Sequence, residues 1–232
     1  GDALAGELIA AAFGTNLSAS VQSATTVPLL NTLNNTTVRV RDAAGVERLA
    51  PLFFVAPGQV NFLIPSGTSN GAATVTLTNV DGLVSTGVVQ IASVAPGFFA
   101  ANADGQGIVA AVALRIRANG EQIYEPVSRF DAAVGRFVAV PIDLGPDLGN
   151  ASDQVFLIAY GTGWRFVSSL AASSASIGGA PAELFYVGSQ GGFVGLDQAN
   201  IRIPRSLIGR GEVDVTMTIG TKTANTVKIS IK

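Results

Sequence analysis

Two acidic side chains four residues apart, Glu121 and Glu125, are the first residues of this sequence that could carry chemistry. Paired carboxylates are the minimum that glycoside hydrolysis requires, one acting as the acid and the other as the base or nucleophile. Both flank Tyr124 in a segment that the turn signals mark as a hairpin. Charged side chains on an edge hairpin also prevent sheets from pairing with one another. We therefore predict a solvated edge hairpin here and no catalytic residues.

The chain contains no His and no Cys. This removes the commonest general base and metal ligand, and it excludes Ser-His-Asp and Cys-His catalysis, thiolate metal sites and disulfides. Asn102, Asp104 and Gln106 place oxygen atoms at alternate positions before Gly107, as in a weak likeness of a calcium loop. The first position carries no carboxylate, and no nearby acidic residue completes a shell. We expect a turn here, no metal, no cofactor and no enzyme.

Three aromatic residues, Tyr160, Trp164 and Phe166, lie close together in the sequence, and Trp164 is the only Trp. On one strand they would share a face, and stacked aromatic rings can form a platform for a sugar. They could equally cover the end of a β-sandwich or a junction between modules. The sequence favours packing and keeps the ligand platform as the alternative, with the exposure of Trp164 as the deciding observation.

One unusual phrase occurs twice, as "GQVNFLIP" (58–65) and "DQANIRIP" (197–204). Each contains Gln, a spacer, Asn and, four residues after the Asn, Pro. The six residues are Gln59, Asn61, Pro65, Gln198, Asn200 and Pro204. Because a fold requirement is duplicated with its module and a ligand site need not be, we interpret them as a structural signature. We expect each Asn to bond main-chain atoms, so that an Ala substitution costs about 1–3 kcal/mol.

Three further pairs of segments repeat in the same order, which indicates a duplicated module. The segment "LIAAAFGTNL" (8–17) matches "FLIAYGTGW" (156–164), "GAATVTLT" (71–78) matches "GEVDVTMT" (211–218), and "STGVVQI" (85–91) matches "ANTVKIS" (224–230). The matched segments alternate apolar and polar residues between Gly, Asn and Pro, which is typical of half-buried antiparallel strands. The Ala-rich segment 3–13 could be a helix, but the repeat favours a strand.

The strand pattern predicts an all-β protein made of two tandem β-sandwiches. We place the modules at 1–93 and 94–232. The second carries an inserted hairpin region, about 102–146, that reads as three strands with turns at Asn119–Gly120 and at 133–135. This region is too short to fold as a domain of its own, so we assign it to the second module.

The composition limits the partners. Hydrophobic residues make up 48% of the chain, charged residues 13%, and the net charge is −2. No basic run suits nucleic acid or an anionic membrane, and no apolar run is long enough for a spanning helix. We expect no nucleic-acid binding, no direct membrane insertion and a monomer.

Several phrases resemble known families. "FGTNL", "YGTGW", "SIGGAPAEL" (176–184) and "GRGEVDVTMTI" resemble the immunoglobulin-like IPT/TIG module. "APLFFVAPGQVNFLIP", "VAPGFFAANADGQG", "LIAYGTGWR" and "ANTVKISI" resemble an uncharacterised C-terminal domain of large secreted acidobacterial proteins. The resemblance covers nearly the whole chain. It implies an immunoglobulin-like fold, a secreted or cell-surface location and a position at the C-terminus of a larger protein, but no known activity.

Two functions remain open. The first is a non-catalytic, adhesion-type structural and interaction module that binds an unidentified surface protein. The alternative is a carbohydrate-binding module that uses the aromatic residues near Trp164. If a partner binds, we expect it at what is not repeated, the 94–150 region and those aromatic residues.

Overall fold

The computed structural model describes residues 3–146 and 152–232. Within them the chain is all-β, with short 3-10 turns at Leu170–Ala172 and Arg205–Leu207 and no α-helix. The chain divides into two compact units, 1–95 and 96–232. The prediction of an all-β, sheet-rich fold is confirmed.

The first unit contains two sheets. Its strands are β1 (Leu4–Ala5), β2 (Ile9–Phe13), β3 (Gln22–Ser23), β4 (Thr37–Arg41), β5 (Glu47–Leu49), β6 (Leu52–Ala56), β7 (Gln59–Leu63), β8 (Gly71–Thr78) and β9 (Val84–Ala92). One sheet has the order β1-β9-β8-β4-β5, and the other has the order β2-β7-β6-β3. All pairings are antiparallel except that of β1 with β9.

The core of the first unit follows the two-residue alternation of its strands. Val38 and Val40 of β4 are buried, and so are Val60 and Phe62 of β7, whereas the residues between them are exposed or half-buried. Because successive side chains of a strand point to opposite faces, each strand contributes one apolar face to the core. The alternation of apolar and polar residues along "GQVNFLIP" therefore does mark a half-buried strand, as predicted.

The second unit contains two larger sheets and a separate hairpin. Its strands are β10 (Gly97–Phe98), β11 (Ala111–Ile116), β12 (Gln122–Pro126), β13 (Ser128–Asp131), β14 (Arg136–Ala139), β15 (Gln154–Thr162), β16 (Ser173–Ile177), β17 (Ala180–Ala182), β18 (Leu184–Ser189), β19 (Asp197–Arg202), β20 (Gly211–Ile219), β21 (Lys222–Thr223) and β22 (Val227–Ile231). One sheet has the order β12-β11-β15-β19-β18, with β10 also on β15. The other has the order β17-β16-β20-β21, with β22 also on β20, and β13 pairs with β14.

The two units share a strand order. The run β2-β7-β6 of the first corresponds to β15-β19-β18 of the second, and β9-β8-β4-β5 corresponds to β22-β20-β16-β17. The registers agree, since Phe13 lies opposite Gln59 and Tyr160 lies opposite Gln198. A β-bulge interrupts β6 and β18 at corresponding places, between Leu52 and Phe54 and between Leu184 and Tyr186.

Two details of the sequence interpretation were wrong. Ile91 pairs with Gly71 and Ile231 pairs with Gly211, so the last repeat is displaced by one residue from the sequence match. A one-residue slip matters because it would exchange the core and solvent faces of the strand. The middle one of the three strands predicted for the insertion is in fact two strands, β12 and β13, which belong to different sheets. The segment at 9–13 is a strand, as the repeat indicated.

Candidate functional site

The three aromatic residues considered as an alternative ligand platform do not share an exposed face. Trp164 is 0% exposed and lies beyond the end of β15, whereas Tyr160 is half-buried and Phe166 is 52% exposed. The Trp164 ring packs edge-on against Phe98, with ring centroids 5.5 Å apart, and its Nε1–H donates to the main-chain oxygen of Gln198 at 3.2 Å. A ring enclosed in this way has no face left for a sugar. Packing, the interpretation that the sequence favoured, describes the contacts of Trp164.

The packing of Trp164 explains why Gly161, and Gly14 at the same place in the first copy, are glycines. A Cβ on Gly161 would lie 2.2 Å from Cη2 of Trp164 and 2.3 Å from the main-chain oxygen of Gly97. In the first unit the place of Trp164 is taken by the buried Leu17, whose Cδ2 would lie 3.0 Å from a Cβ on Gly14. Glycine allows a large apolar side chain to fold back over the strand end in both units.

A buried carboxylate, which sequence reasoning did not single out, holds the loop after β15. Asp197 is 0% exposed, and its Oδ2 accepts hydrogen bonds from the main-chain N–H of Trp164 at 2.8 Å and of Arg165 at 3.1 Å. Its Oδ1 accepts from Nε of Arg165 at 2.8 Å. Burial raises the pKa of Asp197, and these donors act in the opposite direction. The group is a structural acceptor and has no room for a substrate.

The duplicated amide pairs bond within their own strands. Nε2 of Gln59 donates to Oδ1 of Asn61 at 2.8 Å, and Nε2 of Gln198 donates to Oδ1 of Asn200 at 2.8 Å. The main-chain bond that we expected from each Asn is not found in the described part of the chain. Loss of either Asn therefore removes one side-chain hydrogen bond, about 1 kcal/mol. Each phrase ends its strand just before Pro65 or Pro204, as the signature implied.

The carboxylates at 121 and 125 are engaged in ion pairs. Arg115, which is 7% exposed, donates from Nε and Nη2 to the two oxygens of Glu125 at 2.7 and 3.1 Å, and from Nη1 to Asp153 at 3.2 Å. Glu125 is the main cause of the raised pKa of Arg115. Glu121 pairs with Arg117 at the exposed turn of the hairpin. The carboxylates thus hold the predicted edge hairpin, β11–β12.

The residues considered for calcium also have main-chain partners. Asn102 exchanges two hydrogen bonds with the main chain of Phe137, and Asp104 accepts from the N–H of Gln106 at 3.2 Å. Within 3–146 and 152–232 no three acidic side chains converge as metal ligands would. No helix in the same ranges has the length and apolar character to cross a bilayer.

Asp42 organises the turn that joins β4 to β5. Its side chain is fully buried and accepts the N–H groups of Ala44, Val46 and Ser69, each at 3.0 Å, and Nη1 of Arg48 at 2.7 Å. These donors, led by the Ser69 N–H, lower the pKa of Asp42 from 3.8 to about 2. The turn therefore depends on an ionised carboxylate.

We expect the first unit to lose stability in acid through this group. Because the folded pKa of Asp42 is lowered, its contribution is complete above the ordinary value of 3.8 and disappears as the pH falls towards about 2. Urea unfolding of the first unit at pH 6, 4, 3 and 2 should show a steeper loss for the wild type than for Asp42→Asn. Asp81→Asn, which changes an exposed carboxylate in another turn, is the control and should keep the wild-type slope. Equal slopes in Asp42→Asn and the wild type would contradict the assignment.

An open apolar cleft lies between the two sheets of the first unit. It has a volume of about 510 Å³, and all the residues that line it are uncharged. The buried Leu8, Leu17 and Phe62 line it, together with Ala10 of β2 and Val89 of β9. Its size and apolar walls are those of a binding cleft.

Along each wall of the cleft, part of a strand edge has no partner strand among the described residues. The Gly14 N–H bonds to Gly58 and the Ile64 N–H bonds to Leu8, so the alternation directs the main-chain groups of Ala11 and Phe13 away from β7. No described strand pairs with that side of β2, and Phe13 is 75% exposed. On the other wall β1 pairs with β9 at residues 91 and 92, and no other described strand pairs with that side of β9.

The same two edges are covered in the second unit by Phe99 and by residues 107–116 of the inserted region. The N–H of Tyr160, the counterpart of Phe13, donates to Ala110, and its C=O accepts from Phe99, both at 3.0 Å. Strand β11 continues this pairing along β15. On the facing sheet, Lys228 of β22 bonds to Gly107 and Val109. The insertion therefore closes a cleft that its absence leaves open in the first unit.

Neither the family models nor the curated proteins contain a match to this chain.

Proposed function

We propose that this chain is a non-catalytic interaction module of the adhesion type, exposed outside the cell as part of a larger secreted protein. We further propose that its two units are tandem immunoglobulin-like sandwiches, the second enlarged by the inserted hairpins. The shared strand order and registers support the duplication. The secreted location and the immunoglobulin-like assignment rest on the resemblance of the repeated phrases.

The observation that carries the interaction role is the open cleft of the first unit. Natural proteins usually protect an edge strand with charge, Pro or a covering segment, because an exposed apolar edge pairs with other chains. The segments "AAAF" (10–13) of β2 and "VSTGVV" (84–89) of β9, along which no described strand pairs on the open side, carry no charge and no Pro. An uncharged edge beside an apolar cleft is suited to contact with a protein.

A photo-crosslinking amino acid at position 13 would test this function. Phe13 is 75% exposed at the cleft, and the control, Phe193, is 70% exposed in the second unit. We expect the protein labelled at 13, added to intact cells of its source and irradiated, to form an adduct with one defined surface polypeptide that mass spectrometry identifies. The protein labelled at 193 should not form it. Adducts that are absent, or the same from both positions, would overturn the proposal.

A further inference from the structure

We propose that the cleft of the first unit binds one extended strand of a partner polypeptide, which pairs first with β9 and then, antiparallel, with β2. This inference rests on the proposed interaction function and names the form of the ligand. The second unit shows the arrangement within the same chain. There a single extended segment, 107–116, bonds to β22 through residues 107–109 and continues along β15 from residue 110.

The main-chain groups that such a strand would need are in place in the first unit. Ala11 and Phe13 of β2 direct their N–H and C=O groups to the open edge, as Ile158 and Tyr160 do at the covered edge of β15. Val88 of β9, the counterpart of Lys228, is 73% exposed and has its main chain on the open side of the strand. Addition of a strand to an exposed edge derives its affinity from these main-chain bonds and its specificity from alternate side chains.

The alternate side chains of the partner must be apolar and larger than those of the internal example. In the second unit Val109 and Ala113 point inward and are 0% exposed. Ala113 lies opposite Leu157, whose counterpart in the first unit is the smaller Ala10. The buried Val227 of β22 corresponds to Gly87, where a Cβ would meet no atom within 4 Å. The open cleft therefore has room for a Leu-sized side chain where the second unit holds Ala113.

The strand is expected from a different polypeptide and not from a second copy of this chain. The described segment that has the required pattern, 107–116, is already paired within its own unit. A second copy could supply it only by breaking those bonds.

A labelled peptide with the sequence 107–117, "GIVAAVALRIR", and its Ala113→Leu and Ala113→Asp forms are suitable probes for the full chain. We expect saturable binding by fluorescence anisotropy, tightest for the Ala113→Leu form and at least about tenfold weaker for the Ala113→Asp form. Binding of the Ala113→Leu peptide should slow amide hydrogen exchange at Ala11, Phe13 and Val88 of the protein. No saturable binding, or equal binding of all three, would overturn the proposal.

Two variants of the protein place the binding at the cleft. Ala11→Pro removes one N–H that faces the open edge, a position where strands tolerate Pro, and Leu49→Pro makes the same change on β5 at the far edge of the other sheet. We expect Ala11→Pro to lower the affinity for the peptide by about tenfold. Leu49→Pro should change this affinity by less than about twofold. Gly87→Leu places a side chain inside the cleft and leaves the main-chain groups of both strand edges unchanged. It should lower the affinity for the peptide without changing the melting temperature of the protein. Unchanged binding in Gly87→Leu would contradict the assignment, even if Ala11→Pro fails to fold.

The same samples separate the remaining outcomes. Sedimentation of the chain alone should show no self-association, and a dimer lost in Gly87→Leu would identify a second copy as the occupant and overturn the choice of a different polypeptide. A position-13 crosslink without peptide binding would reject strand addition and leave the interaction function standing. Peptide binding without any crosslinked partner would support a strand-accepting cleft and reject the proposed function.

Discussion

Asp197→Ala should lower the free energy of unfolding of the second unit by about 3–5 kcal/mol. The substitution removes the acceptor of two main-chain N–H groups and leaves the Arg165 guanidinium, 10% exposed, without this carboxylate. The loss is large because two buried N–H groups and a buried guanidinium lose this charged acceptor without regaining water. Urea unfolding at pH 7, followed by tryptophan fluorescence, reports on this unit directly, since Trp164 is the only Trp and bonds to Asp197.

Glu183→Ala is the matched control for a carboxylate paired with arginine. Glu183 lies 3.6 Å from Arg202, and the two side chains are 62% and 43% exposed. An exposed pair of this kind contributes little, so the expected change is below about 1 kcal/mol. Asp197→Asn retains an acceptor oxygen and should fall between the two. A loss for Asp197→Ala no larger than that for Glu183→Ala would show that the loop after β15 is held by other contacts.

Trp164→Ala should lower the free energy of unfolding by about 3–5 kcal/mol. The ring is 0% exposed, packs against Phe98 and fills the space that Gly161 leaves by having no Cβ. Neighbours on strand ends move only in part to fill such a cavity, so both the apolar contacts and the indole hydrogen bond to Gln198 are lost. Differential scanning calorimetry measures this change without relying on the fluorescence of the residue removed.

Phe166→Ala is the control for Trp164→Ala, because Phe166 lies two residues away and is 52% exposed. We expect its effect on the free energy of unfolding to stay within about 1 kcal/mol. A glycan array tests the carbohydrate alternative with the same proteins. A glycan bound by the wild type and lost in Phe166→Ala, at unchanged stability, would revive a sugar-binding role for this surface without Trp164.

The strands could be predicted because their signal is local. The alternation of Val60, Phe62 and Ile64 already places three side chains on one face, and all three are buried. The same is true of Ala199, Ile201 and Ile203 in the second copy. The repeated phrase could be recognised as structural for the same reason, since each copy bonds Gln to Asn two residues along one strand.

The candidate site could not be predicted because each of its parts depends on distant residues. Asp197 bonds to Arg165, which lies 32 residues earlier in the chain. No motif around either residue predicts that the two are paired. The burial of Trp164 depends on the loop that folds back over Gly161. Comparing the two copies within the sequence did give a signal for the cleft, because the second copy has an insertion and the first does not. That insertion, which the sequence favours as the place for a partner, also covers the edges in the second unit that correspond to the open edges of the first.

By itself, the sequence determined an all-β chain with a duplicated strand pattern and no His or Cys for catalysis, because alternation and composition are properties of neighbouring residues. Only the tertiary structure decided which edges are paired. Whether the main chain of Phe13 or Tyr160 faces a strand or solvent depends on a segment elsewhere in the chain, and no local pattern encodes that choice. The repeated face of β7 and β19 is thus part of the fold, and the difference between the units lies at the neighbouring strand, covered at β15 and open at β2.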